Sequence, residues 1–139
     1  MKGYTKVRLC FSDTSRFQLM DREEKPTNNG SGVLLWKNGR YGRMETVCET
    51  MLSQSNSNYD FSDIAAHAIC RDMGWSHAIG WDRIHAEDWN LEDYYTIQVE
   101  CTSPYWISCS YIYLSKSERC VGRHIFLTCG LAERLIQGM

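Results

Sequence analysis

Seven cysteines and four histidines hold most of the chemistry open to this 139-residue chain. A thiol can serve as nucleophile, metal ligand or disulfide partner, and spacing helps to decide among these. Zinc sites draw ligands in close pairs such as C-x2-C or H-x3-H, because two ligands from one turn start the tetrahedron. No such cysteine pair occurs: the nearest are Cys101 with Cys109 and Cys120 with Cys129, and His67, His77, His85 and His124 fall at unrelated spacings. Structural zinc is disfavoured. His67 and Cys70 stand three apart, which puts them on neighbouring turns of a helix, but Cys70 lies beside that helix's apolar stripe. His124 near Cys120 has no more support. No Ser-His-Asp arrangement, glycine-rich phosphate loop or metal motif is present. The expectation is a chain without enzyme activity, metal or cofactor, whose cysteines form disulfides in an oxidising compartment.

Bulk properties are compatible with that. Hydrophobic content of 43% and charged content of 23% suit one globular domain with a small core. A net charge of -2 gives no global field to recruit nucleic acid or an anionic membrane. No apolar run reaches the roughly 20 residues of a membrane-spanning helix, so no direct membrane insertion is expected. The first residues, Met1 to Arg8, lack the apolar stretch of a signal peptide, so a secreted chain would be a mature or excised piece of something longer.

The elements that position the cysteines are read from periodicity. Lys6 to Phe11 reads as an opening strand. The stretch from 12 to 32 is polar, with Pro26 and Asn28-Asn-Gly-Ser-Gly32, and reads as a long loop. It carries the sequon Asn29-Gly30-Ser31, which makes Asn29 a glycosylation candidate. Val33 to Trp36 and Tyr41 to Val47 flank Asn38-Gly39, which predicts a hairpin with a type I′ turn. Asp60 or Ser62 can cap a helix whose apolar stripe is Ile64, Ala68, Ile69 and Met73, with Gly74 at its left-handed end. Residues 76 to 93 read as irregular and acidic. Tyr95 to Val99 and Ile125 to Thr128 read as strands, and Leu131 to Ile136 as a short amphipathic tail.

The ordered series Gly42-Arg-Met-Glu-Thr-Val-Cys48, Ile69-Cys-Arg-Asp-Met-Gly74, Val99-Glu-Cys101, Trp106-Ile-Ser-Cys109, Cys120 and Cys129 resembles the scavenger receptor cysteine-rich (SRCR) domain. The resemblance covers residues 33 to 129, with Val7-Arg8-Leu9 in place of the family's opening strand. It implies an α+β fold: a small disulfide-stapled domain in which a curved antiparallel sheet cradles one main helix. The domain would span residues 1–130, with an enlarged 11–32 loop, and 131–139 would be a C-terminal tail or linker. It also implies the pairs Cys48–Cys120, Cys70–Cys129 and Cys101–Cys109, which sequence alone leaves open. Trp75 stands where another subgroup has a further cysteine, so the six-cysteine subgroup is expected. Cys10 is left over, either unpaired or intermolecular.

Many SRCR domains hold Ca²⁺ or Mg²⁺ through three acidic elements. Here only Glu49 matches. Ile97 occupies the strand position, and Val121 to His124 supply no carboxylate, so the family's cation site is expected to be lost. The acidic residues Asp82, Glu87, Asp88, Glu92 and Asp93 could bind Ca²⁺ independently, although a solvated loop is the plainer reading.

The resemblance implies a non-catalytic extracellular recognition module within a larger secreted or membrane-anchored protein, binding protein or polyanionic ligands. Lys37, Arg40 and Arg43 are the ligand-binding candidates, with Trp36 and Tyr41 nearby and Arg71 and Arg123 as extensions. Tyr94, Tyr95, Tyr105, Tyr111 and Tyr113 are hard to bury together and suggest a protein contact. Trp75, Trp81, Trp89 and Trp106 are expected to fill the core. Two alternatives stand beside this reading. One is a structural assembly unit of a matrix, coat or fibre, with homo- or hetero-assembly. The other is an accessory domain of a secreted enzyme.

Overall fold

The computed structural model describes residues 15–39, 42–49, 61–113, 120 and 123–131. The expected opening strand, Cys10, Arg40, Tyr41, Asp60 and the tail beyond Leu131 lie outside the described residues. The rest is a small, mostly β domain with one α-helix and three disulfides.

Seven strands are described: β1 (Phe17–Met20), β2 (Ser31–Asn38), β3 (Arg43–Val47), β4 (His77–Ile84), β5 (Thr96–Cys101), β6 (Cys109–Tyr113) and β7 (His124–Gly130). Their order is β4-β7-β2-β3-β5-β6, with β1 also on β2. Four points correct the sequence reading. β1 lies inside the stretch taken as a loop; its Phe17 pairs with Trp36 and its Leu19 with Leu34. β4 lies inside the stretch taken as irregular and pairs along β7. The sheet is not wholly antiparallel, since β3 and β5 run parallel through Thr46–Thr96 and Val47–Ile97. A parallel pair needs a long crossover, and the helix and β4 supply it.

The fourth correction is the hairpin turn. Asn38 pairs with Arg43, so residues 39 to 42 form the connection in place of a two-residue turn. Gly42 takes the positive φ, at 64°, and its N–H donates to the carbonyl of Asn38 at 2.8 Å. Asn38 stays in the strand because its side chain is used elsewhere: Nδ2 donates to the carboxylate of Glu45 at 2.8 Å.

Helix α1 (Asp63–Asp72) begins at Ser62, whose hydroxyl accepts from the N–H of Ala65. It ends in a Schellman motif. Gly74 has φ 102°, its N–H donates to the carbonyl of Arg71, and the N–H of Trp75 donates to that of Cys70. The buried face is Ala65, Ala66, Ala68, Ile69 and Cys70. Ile64, expected on the apolar stripe, is exposed. Small alanines on the inner face let the helix approach the sheet closely, and the large isoleucine is left at the rim.

One core joins α1 to the sheet face bearing Phe17, Leu34, Trp36, Val47, Ile97, Val99, Ile125 and Leu127. A second lies on the other face, where Met20, Val33 and Leu35 pack under Leu91, with Trp89 and Tyr94 at its margin. Trp36 is the tryptophan wholly inside; Trp75, Trp81, Trp89 and Trp106 are half-buried at the edges of the two cores.

The disulfides are Cys48–Cys120, Cys70–Cys129 and Cys101–Cys109, the pairs implied by the resemblance. The first two close separations of 72 and 59 residues. In the chain-entropy model each long bridge stabilises by about 4 kcal/mol, and the short one by about 2.5 kcal/mol. Cys70–Cys129 fixes α1 to β7, and Cys101–Cys109 fixes the register of β5 and β6.

Candidate functional site: an aromatic and arginine face at the β6 edge

Cross-strand partners share a face of a sheet. Val99 pairs with Tyr111 and Ile97 with Tyr113, so both tyrosines stand on the α1 side of the sheet, at its β6 end. There the rings form a cluster of four and a neighbouring pair. Phe17 meets Trp36 at 5.3 Å and Trp106 at 5.1 Å between centroids, and Trp36 meets Tyr111 at 5.0 Å. Tyr95 and Tyr113 lie edge to face at 6.1 Å. The inner rings are core. The outer ones are not: Tyr105 is 57% exposed, Ile107 94%, Tyr111 49% and Tyr113 40%.

Three guanidinium groups stack on this set. Arg16 lies 5.4 Å from the Trp106 centroid, Arg71 5.0 Å from Tyr105 and Arg43 3.7 Å from Tyr95. Their charges are handled differently. Arg16 pairs with Asp72 at 3.2 Å. Arg43 pairs with the buried Glu45 at 3.0 Å and also hydrogen-bonds the Tyr113 hydroxyl. Arg71 donates to the carbonyls of Ser76 and Pro104, both at 3.0 Å, and has no carboxylate partner among the described residues. Stacked arginines and tyrosines are pre-ordered, polar at one end and apolar over most of their area. That combination is enriched at protein interfaces.

The basic hairpin candidates do not converge. Asn38 pairs with Arg43 and Trp36 with Glu45, so Arg43 stands on the α1 face, whereas Lys37 pairs with Met44 on the opposite face. Arg40 lies outside the described residues. Arg123 is exposed, and its carbonyl accepts from the N–H of Glu49. Arg71, suggested as an extension of that patch, belongs instead to the β6 edge. The tyrosine set is partly divided: Tyr105, Tyr111 and Tyr113 are outward, whereas Tyr94 turns to the second core, where its hydroxyl approaches Glu24 at 3.4 Å. Burial and that carboxylate raise its pKa.

Glu49, the acidic residue that matches the family's cation site, is ion-paired with Arg83. Ile97 is fully buried among apolar side chains. Asp82, Glu87, Asp88, Glu92 and Asp93 are all exposed, and among the described residues no group of three or more His, Cys, Asp or Glu gathers as for a metal ion. Cys70 is bridged to Cys129, and the Nδ1 of His67 accepts from the N–H of Ala78 at 3.0 Å, so these two do not form a thiolate–imidazole couple. Asn29 is exposed, with its side-chain oxygen accepting from the N–H of Ser31 and the hydroxyl of Thr27, both at 2.9 Å.

Sequence reasoning missed Arg16, Glu45 and Ile107. Arg16 takes its place through distant partners, Asp72 and Trp106, whereas Glu45 stands out by its burial beside Arg43, two residues away. Ile107 carried a signal: it sits in Pro104 to Leu114, a stretch with no charged residue.

No helix of the described residues is long and apolar enough to cross a membrane. No protein-family model matches the chain. A stretch of 70 residues, 50% of the chain, is 34% identical to part of lysyl oxidase homolog 2 of Gallus gallus. It covers 8% of that protein, so the chain spans a small part of the curated relative it matches.

Proposed function

We propose that this chain is an SRCR-type domain of the six-cysteine subgroup, acting as a non-catalytic extracellular module that recognises a protein ligand through the face carrying Tyr105, Ile107, Tyr111 and Tyr113. Three disulfides fit an oxidising compartment. The observation that carries the recognition reading is the exposure of these four large side chains beside stacked arginines, when the same chain buries Phe17, Trp36 and Leu34 a few ångströms inward. A polyanion is less well served, because Arg43 is paired to Glu45 and Lys37 stands on the opposite face.

A second reading is favoured by the similarity to lysyl oxidase homolog 2: an accessory domain of a secreted enzyme. The two are compatible, since an accessory domain also works by binding protein.

The test is binding of the tagged, disulfide-bonded chain to cultured cells and their matrix. Combining Ile107→Ser with Tyr111→Ser removes binding, and heparinase treatment leaves it unchanged. Binding that survives the double substitution and is removed by heparinase overturns this reading in favour of a polyanion.

A further inference from the structure

The two ends of the sheet are built differently. β4 closes one end with Asp82 and Arg83 on the strand and a register shift between Ala78 and Gly80. Charges and bulges of this kind are how a sheet edge is kept from pairing with another chain. Among the described residues β6 closes the other end. It reads Cys109-Ser-Tyr-Ile-Tyr113, with no charge, glycine or proline and no bulge against β5.

The backbone of β6 is turned to offer pairing. In an antiparallel ladder, hydrogen-bonded pairs alternate with non-bonded ones. The N–H of Thr102 donates to the carbonyl of Ser108, which places the bonded pairs at Glu100–Ser110 and Gln98–Ile112. The N–H and C=O of Tyr111 therefore point away from β5, toward the outer edge. The Tyr111 ring stands on the aromatic face beside them.

Resting on the recognition reading above, we propose that the ligand adds to β6 as an extended strand, and that it is a segment of another protein bearing carboxylates beside the paired residues. Charge selects the occupant. Arg71, over Tyr105 at the start of this edge, has no carboxylate partner among the described residues. A second copy pairing through its own β6 would bring another uncharged strand and another Arg71. An acidic segment supplies main-chain hydrogen bonds to Tyr111, apolar side chains to Ile107 and Tyr111, and a carboxylate to Arg71.

The experiment uses the intact chain and peptides of about ten residues that alternate Thr and Val and end in either Glu or Lys, read by fluorescence anisotropy. The Glu-ended peptide binds at least about tenfold tighter than the Lys-ended one, and Arg71→Glu reverses that order. Methylating the peptide's alternate backbone nitrogens abolishes binding. Tyr111→Pro, which deletes an outward N–H and leaves the bonds of Ser110 and Ile112 to β5, does the same with the near-UV spectrum intact. The N-methylated peptides report on pairing even if that variant does not fold. Unchanged binding after N-methylation, with loss on Ile107→Ser, overturns strand addition and leaves side-chain recognition standing. Sedimentation of the free chain as a dimer that Tyr111→Pro dissolves gives the edge to a second copy and also overturns the proposal. Failure of every peptide, with cell binding unaffected by Ile107→Ser and Tyr111→Ser, removes the recognition reading itself.

Discussion

Arg43 and Glu45 stand two residues apart on β3, on one face, and meet at 3.0 Å where the hairpin joins the aromatic set. Glu45 is fully buried; one carboxylate oxygen takes bonds from Arg43 and Asn38, and the other has no partner. A buried carboxylate held by one guanidinium is costly to strand. Arg43→Ala is expected to lower stability by about 2 kcal/mol, discounted from a fully buried pair because Arg43 is partly exposed. Arg43→Ala with Glu45→Gln recovers part of that loss. Urea unfolding of both variants measures it, and equal losses would show that Glu45 does not depend on Arg43.

Ile107→Ser and Tyr111→Ser are expected to behave in the opposite way. Ile107 is almost wholly exposed, so Ile107→Ser changes stability by about 0.5 kcal/mol or less, whereas Tyr111 is half-buried against Trp36 and Tyr111→Ser costs about 1 kcal/mol. Their effect falls on ligand binding. A thermal melt run beside the binding assay separates the two.

His124 predicts a pH dependence. It is buried on β7, its Nδ1 has no partner, and desolvation lowers its pKa from 6.5 to about 4. The unfolded chain thus takes up a proton at a higher pH than the folded one. Stability from this residue is complete above pH 6.5 and is lost as pH falls toward 4, by up to about 3 kcal/mol. Urea midpoints between pH 7.5 and 4 should fall, and His124→Gln should flatten that slope. An unchanged slope would contradict the assignment.

Asn29 is expected to carry an N-glycan when the chain is made in a secretory pathway. It is exposed, in the connection between β1 and β2, and its sequon ends on Ser31, the first residue of β2. A mass shift removed by peptide N-glycosidase F and absent in Asn29→Gln tests this.

Much of the scaffold was legible because its signals are local. The hairpin strands, the Ser62 cap and the Gly74 end follow from residues within a few positions of one another. β1 and β4 were not legible, for physical reasons. Four residues of β1 are too few to show a period, and they are held by pairing with β2. In β4 the register shift between Ala78 and Gly80 breaks the alternation that would mark a strand. The parallel pairing of β3 with β5 joins segments about fifty residues apart, and no local pattern encodes it. The candidate site divides the same way. The surplus of tyrosines pointed to a contact surface. The division of Lys37 from Arg43 depended on which hairpin residues pair, and Asn38–Gly39 suggested a shorter turn than the one that forms.

Recognition of protein through the β6 end of the α1 face can be read by photo-crosslinking. A benzoylphenylalanine placed at Ile107, and in a control chain at Lys37 on the opposite face, is illuminated on cells that bind the tagged chain. A discrete protein adduct is expected from position 107, absent with Tyr111→Ser in the same chain, and no such adduct from position 37. An adduct of equal yield from both positions, or from position 37 alone, would contradict it.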